Sequence, residues 1–278
     1  MIVQHNMAAL NTNRQLGNTN KLLAKSTEKL SSGYKVNRAA DDAAGLSISE
    51  KMRAQIRGLN QASANATDGQ SLIQTAEGAL GEIHSILQRM RELTVQAATD
   101  TNVTADRRAI SDEIKSLTAE IDRIATQTEF NTMKLFDGSF VGKKLQVGAN
   151  TNQFISLTIT SLTAGGLGVS VGAVASVISV SGSNFSTITP LISIVDNAIV
   201  KVSRQRSVLG AVQNRLDHTI ANADNMAENL QASESKIRDV DMADEMVTYS
   251  AKSIIQQAGQ SMLAQANQAT QGVLNLLR

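Results

Sequence analysis

The sequence predicts a mainly α protein: a long antiparallel helical bundle or coiled coil with a small β-hairpin region and paired terminal helices. The first observation is a seam late in the chain. Steps of three and four residues give Ile192, Val195, Ile199, Val202, Arg206, Leu209, Gln213, Leu216, Ile220, Ala223, Ala227, Leu230, Glu234 and Ile237, of which 11 of 14 are apolar. An average spacing of 3.5 keeps such a stripe on a partner only if the helices supercoil. The second is composition. Aromatic residues make up 3% of the 278 residues, with one proline and no tryptophan or cysteine, which suits long helices with narrow seams. The third is a break in that character. No Asp, Glu, Lys or Arg occurs between Leu145 and Val195, and Phe154 to Thr160 alternates apolar with polar side chains as a strand does.

Residues 2 to 30 read as a weakly amphipathic helix with Val3, Met7, Leu10, Leu16, Leu23 and Leu30 as apolar points, stopped by Gly33. Tyr34 to Asp42 is a charged connector. A second helix from about Ala43 to Thr99 carries Ile73, Ala76, Leu80, Ile83, Leu87 and Met90, with Gly69 and Gly78 weakening it locally. After a turn at Asp100 to Val103, Thr104 is the expected N-cap, and Asp106 favours the helix dipole. The third helix bears Ile110, Ile114, Leu117, Ile121 and Ile124 and is expected to end near Asn131. A turn this short makes helices two and three an antiparallel hairpin.

The uncharged block reads as strands around Gln146-Val147 and Phe154 to Thr160, then a Gly/Ser-rich loop. The run Ala164 to Val180 is too short and too rich in Gly and Ser for a membrane span. The long helix from 192 measures roughly 70 Å at about 1.5 Å per residue. After Asp239 comes a last helix with Ile255, Met262, Ala266, Ala269, Val273 and Leu276 as its stripe. Neither terminal helix carries enough bulky residues to stand alone. The two are expected to pair, or to order only when other copies supply the missing surface. Leu10, Leu23, Leu30, Ile255, Met262, Val273 and Leu276 are the candidate assembly residues.

Chemistry is sparse. His5, His84 and His218 are scattered and match no metal-binding spacing. Gly165-Gly166-Leu167-Gly168 lacks the Lys-Ser/Thr pair of a phosphate loop, and Asp239, Asp241, Asp244 and Glu245 lack the glycine and distal glutamate of a calcium loop, so they read as helix-capping carboxylates. Asn65, Asn102 and Asn184 stand in N-x-S/T triplets that arise readily by chance. No nucleophile or metal constellation supports a hydrolytic enzyme, and no cofactor is expected. A net charge of +1 gives no case for nucleic acid or an anionic membrane. The N-terminus has neither the charged nor the apolar region of a cleaved secretory signal.

Several segments together resemble bacterial flagellins: Ile2 to Leu10, Leu30 to Asn37, Ala40 to Leu46, Gln88 to Ala97, Leu209 to Leu216, Leu263 to Gln268 and Val273 to Arg278. The resemblance implies a structural subunit that polymerises into an extracellular filament, with residues 1–44 and 237–278 forming an inner terminal helical domain disordered in the monomer. Residues 45–236 would form a rod-like domain with a β-hairpin near 139–163, within a short region of about 139–190 where larger flagellins carry variable domains. It also implies export through the flagellar type III apparatus, an export chaperone over the C-terminal helix, and hook-associated and cap proteins as partners. Recognition by a host Toll-like receptor is implied at Arg89, Leu93 and Glu113, with Leu93→Ala expected to spare the fold. Two other readings are a hook-filament junction protein with the same fold and an intracellular coiled-coil scaffold.

Overall fold

The structure, a computed structural model, describes residues 6–179 and 185–276, without the side chains of Ser179 and of residues 270–276. Its helices are α1 (Met7–Ser32), α2 (Ala43–Ala98), α3 (Thr104–Gln127), α4 (Ala164–Leu167), α5 (Ala175–Ser179), α6 (Phe185–Arg238) and α7 (Met242–Leu276). Two small antiparallel strand pairs join them: β1 (Glu129–Phe130) with β2 (Met133–Lys134), and β3 (Lys143–Gln146) with β4 (Phe154–Leu157). The mainly α class and the coiled-coil seams are as the periodicity predicts.

The chain divides into two compact units: a terminal one, Met1–Ile56 with Glu228–Arg278, and a central one, Arg57–Ala227. Both boundaries fall inside continuous helices, α2 and α6, and not near residues 44 and 237, beside the charged connectors. The physical reason is a set of contacts that draws helix ends into the terminal unit. Arg53 pairs with Glu234 at 3.3 Å, and Arg238 with Glu50 at 3.4 Å.

In the central unit, α2 contributes Ile73, Ala76, Leu80, Ile83, Leu87, Met90 and Leu93 to the core, α3 contributes Ile110, Ile114 and Ile121, and α6 contributes Val195, Val202, Leu209 and Leu216. Cross-helix pairs set the register. Arg91 meets Asp196 at 2.6 Å, Arg206 meets Glu77 at 3.5 Å, and Gln70 donates to Asp217, a falling-and-rising order that makes α2 and α6 antiparallel.

Many apolar side chains of the uncharged block are core, with exposed small and polar residues between them. Ile155, Leu157, Ile159, Leu162, Leu167, Val169, Val174 and Ile178 are all buried in the same cluster as the three helices. Its backbone, mostly irregular, needs polar partners in that dry setting. Asp122 of α3 accepts the Ala164 N–H at 2.8 Å, Ser111 donates to the Ala175 carbonyl at 2.8 Å, and Lys201 donates to the carbonyls of Gly166 and Leu167. Gln205 of α6 donates to the Thr158 carbonyl at 3.1 Å. The run from Ala164 to Ser179 thus holds two short helices, α4 and α5, in place of a span; Val180 lies outside the described residues. By length and composition alone, α6 could cross a membrane, with a mean hydropathy of 1.3 in its most apolar window, but its apolar seam is turned to the protein core.

Four expectations are corrected. Helix α3 ends at Gln127 and not near Asn131, because Phe130-Asn131-Thr132-Met133 closes a tight hairpin with Asn131 at φ 48 and Thr132 at φ 63, the double positive φ of a primed turn. The N-cap of α3 is Val103 and not Thr104. Valine has no acceptor, and Asp106 compensates by accepting the Val103 N–H at 3.2 Å. Helix α6 begins at Phe185, earlier than 192, with Pro190 in its second turn. Gly69 does more than weaken α2: a Cβ there would meet Leu145 of β3 at 3.0 Å, so the missing side chain lets the hairpin approach.

Candidate assembly site

Helix α1 starts at Asn6, whose side chain accepts the Ala9 N–H at 3.0 Å, and ends at Gly33, left-handed at φ 76, whose N–H returns to the Lys29 carbonyl. It pairs with α7 in antiparallel register. The shielded positions of α1 run Ala9, Thr12, Leu16, Thr19, Leu23, Ser26 and Leu30, and those of α7 run Glu245, Tyr249, Lys252, Gln256, Gly259, Leu263 and Ala266. Both sets step by three and four, so this is a heptad seam. Half of its positions are polar. Lys29 meets Glu245 at 3.5 Å, Lys252 donates to Ser26 at 2.8 Å, Gln256 donates to Asn20 at 2.8 Å, and Asn6 donates to the Ala266 carbonyl at 2.9 Å. A Ser26 hydroxyl bond, then Lys29 and Lys252, hold the Glu245 carboxyl below its ordinary range although burial acts the other way.

The pairing leaves an apolar face open. Opposite its seam, α7 presents Val247, Ala251, Ile254 and Ala258, flanked by Ile255 and Met262; Val247 is 71% exposed and Ile254 66%. On α1, Met7 and Leu10 lie opposite the seam and are 69% and 59% exposed. Such an unbroken apolar stripe on a helix marks an interaction surface.

The expected assembly residues therefore separate. Leu10, Ile255 and Met262 lie on the open surface; Leu23 and Leu30 are half-buried in the α1–α7 seam, which removes them from it. The side chains of Val273 and Leu276 lie outside the described residues, as do Val3 and His5. The stripe containing Ile255, Met262 and Ala266 was expected either to pair with α1 or to await other copies; Ala266 lies in the seam and Ile255 and Met262 lie outside it, because Glu245, Lys252 and Gln256 find partners on the more polar face. Val247 and Ile254 were missed. Their signal, the 4-3-4 spacing Val247, Ala251, Ile254 and Ala258, is present in the sequence but competes with the neighbouring stripe.

Where the connector after α1 meets the connector before α7, Lys35 N–H donates to the Arg238 carbonyl at 2.6 Å and Val240 N–H to the Gly33 carbonyl at 3.0 Å. The Tyr34 ring lies 4.7 Å from the Arg238 guanidinium and 5.8 Å from that of Arg53, which also donates to the phenol oxygen at 3.2 Å.

The three expected receptor residues are not alike. Arg89 of α2 and Glu113 of α3 form an exposed ion pair at 2.9 Å, and Arg89 also reaches Glu92 at 3.2 Å. Leu93 is 2% exposed and belongs to the core, so it offers no surface to a receptor and its truncation cannot spare the fold. Among the described residues no group of three or more His, Cys, Asp or Glu could hold a metal ion.

The pattern of two helical chain ends and a central bundle is shared with known proteins. The description "bacterial flagellin N-terminal helical region" matches residues 3–141, and "bacterial flagellin C-terminal helical region" matches residues 192–277. The chain is 53% identical to a flagellin of Halalkalibacterium halodurans and 51% identical to one of Bacillus subtilis, each alignment covering 100% of both chains. It is 48% identical, again over 100% of both chains, to flagellin FlaB2 of Treponema pallidum. The fold is like that of a flagellar hook-associated protein from Vibrio parahaemolyticus, with a TM-score of 0.62 at 14% identity over 72% of this chain and 100% of that one. With both terminal regions matched and full-length relatives at about half identity, this chain belongs to the bacterial flagellin family.

Proposed function

We propose that the chain is a structural, non-enzymatic subunit that polymerises into the extracellular flagellar filament through the open faces of α1 and α7. The observation that carries this is the apolar row Val247, Ala251, Ile254 and Ala258 facing away from the α1–α7 seam. Each buried Val or Ile contributes about 1.5–3 kcal/mol, a gain realised only when another copy covers the row. Different faces of successive copies meeting in this way form a heterologous contact, which propagates as an open helix. Hook-associated and cap proteins would bound such a polymer at its two ends.

Export in this reading uses the flagellar type III apparatus, with no cleaved signal. A chaperone of complementary apolar surface would cover α7 until then. Detection of the intact chain in culture medium separates this reading from an intracellular scaffold, and long filaments separate it from a hook-filament junction protein, which would stop at a short collar.

The assembly test is the double variant Val247→Asp/Ile254→Asp. It leaves every α1–α7 seam position in place, so the expected result is a monomer of unchanged helicity that forms no filaments after seeding. Filaments under electron microscopy would remove the open face of α7 from the assembly contact.

A second reading, recognition by a host Toll-like receptor, is supported by the exposed Arg89–Glu113 pair on the α2–α3 surface. Leu93 would support these positions from beneath. Arg89→Ala with Glu113→Ala is expected to weaken receptor binding with an unchanged circular dichroism spectrum; unchanged binding would exclude the pair.

A further inference from the structure

The chain has no cysteine and nine methionines, so its oxidisable sulfur is all thioether. Their placement is uneven. Met90 is 0% exposed in the central core, whereas Met7, Met242, Met246 and Met262 of α1 and α7 are 69%, 48%, 50% and 56% exposed. Met7 lies opposite the α1 seam, Met262 borders the open face of α7, and Met242 and Met246 open its first turns. These thioethers are thus reachable by solvent oxidants in the unassembled chain; Met7 and Met262 sit on or beside the open faces that assembly would cover, and Met242 and Met246 stand exposed at the start of α7.

We infer that Met7, Met242, Met246 and Met262 form an oxidation-sensitive control on polymerisation, a reading that rests on the assembly role of α1 and α7. The reaction needs a two-electron oxidant of the peroxide class. A sulfur lone pair attacks one peroxide oxygen, the O–O bond breaks, and the departing hydroxide takes up the remaining proton as water. Sulfur is oxidised to the sulfoxide and peroxide is reduced. The product is polar and chiral where an apolar, adaptable side chain stood. None of the four occupies a seam position between α1 and α7, so the monomer keeps its helix pair while the surface offered to the next copy becomes wet. Methionine sulfoxide reductases reverse the change.

The test treats the full chain with hydrogen peroxide, maps sulfoxides by peptide mass spectrometry, records circular dichroism and then seeds filament growth. Expected are sulfoxides at Met7, Met242, Met246 and Met262 before any at Met90, unchanged helicity, at least a tenfold loss of filament mass, and recovery after treatment with MsrA and MsrB. A variant with all four replaced by Leu, which keeps the exposed Met133 and Met226, is expected to polymerise with or without peroxide. Four single Leu variants, each expected to retain part of its assembly after peroxide, read the same effect should the quadruple variant fold poorly. Oxidised wild-type chain that polymerises normally, or peroxide that stops the Leu variants as fully as the wild type, overturns the inference. Loss of helicity along with assembly overturns it too, since the sulfoxides would then act on the fold. Failure of the untreated chain to polymerise overturns the assembly reading itself, a different result from a sulfoxide without effect.

Discussion

Tyr34 and Asp239 form an isolated antiparallel β-bridge that ties the connector after α1 to the connector before α7. The bridge is short, and its neighbours hold it. Arg238 and Arg53 flank the Tyr34 ring, and each is also paired with a carboxylate. Cation–π contacts contribute about 0.5–1 kcal/mol each at such sites. Tyr34→Ala is therefore expected to weaken the terminal unit by about 1–2 kcal/mol. Tyr34→Phe keeps the ring and loses only the Arg53 hydrogen bond, so it should cost less. Hydrogen exchange at the Lys35 and Val240 amides, both engaged across the bridge, reads the difference directly.

The α1–α7 pairing is expected to weaken in acid. The folded carboxyl of Glu245 titrates below its ordinary value of 4.5, held there first by Ser26 and then by Lys29 and Lys252. A lowered folded value contributes stability that is complete above the ordinary value and is lost as pH falls through the folded one. Helicity of the isolated chain should hold from neutrality to about pH 5 and decline below pH 4.5. Glu245→Gln should be less stable at neutral pH and show a flatter acid profile. An unchanged profile would remove Glu245 from the account.

Leu93→Ala is expected to destabilise the central unit by about 2–5 kcal/mol, the usual cost of a large-to-small change in a core. Urea denaturation checks it. Any fall in receptor binding by this variant would then follow from the fold, whereas the exposed pair Arg89 and Glu113 can be changed with little movement of the unfolding midpoint.

Gly33 at φ 76 ends α1 in a conformation that costs an L-residue about 1–2 kcal/mol. Gly33→Ala should lower stability by about that amount and Gly33→Asn by less, because asparagine tolerates the left-handed region. Thermal unfolding of the two variants beside the parent is sufficient.

The helices and most of their seams were legible because heptad spacing is a local property: Ile73 to Met90 and Val195 to Leu216 point inward as their steps predict. Gly33 was legible for a similar reason, since few residues other than glycine close a helix in this way. The Asn131-Thr132 turn was not, because neither residue demands positive φ and the turn is set by the pairing of β1 with β2, Glu129 with Lys134 and Phe130 with Met133.

By itself, the sequence determined that the chain is mainly α, that its ends are helices too poor in bulky residues to stand alone, and that the stretch from Leu145 to Val195 is uncharged. Tertiary structure alone decided what each of these means. Ile155, Leu157, Ile159, Leu162, Leu167, Val169, Val174 and Ile178 of that stretch are buried in one core with residues of α2, α3 and α6, where an unpaired charge would be costly. On α7 two stripes of similar spacing compete, and periodicity cannot rank them, because the choice depends on a partner far away in the chain. Ser26, Asn20 and Lys29 of α1 match the polar stripe, so the polar stripe turns inward and Val247 and Ile254 are left facing out.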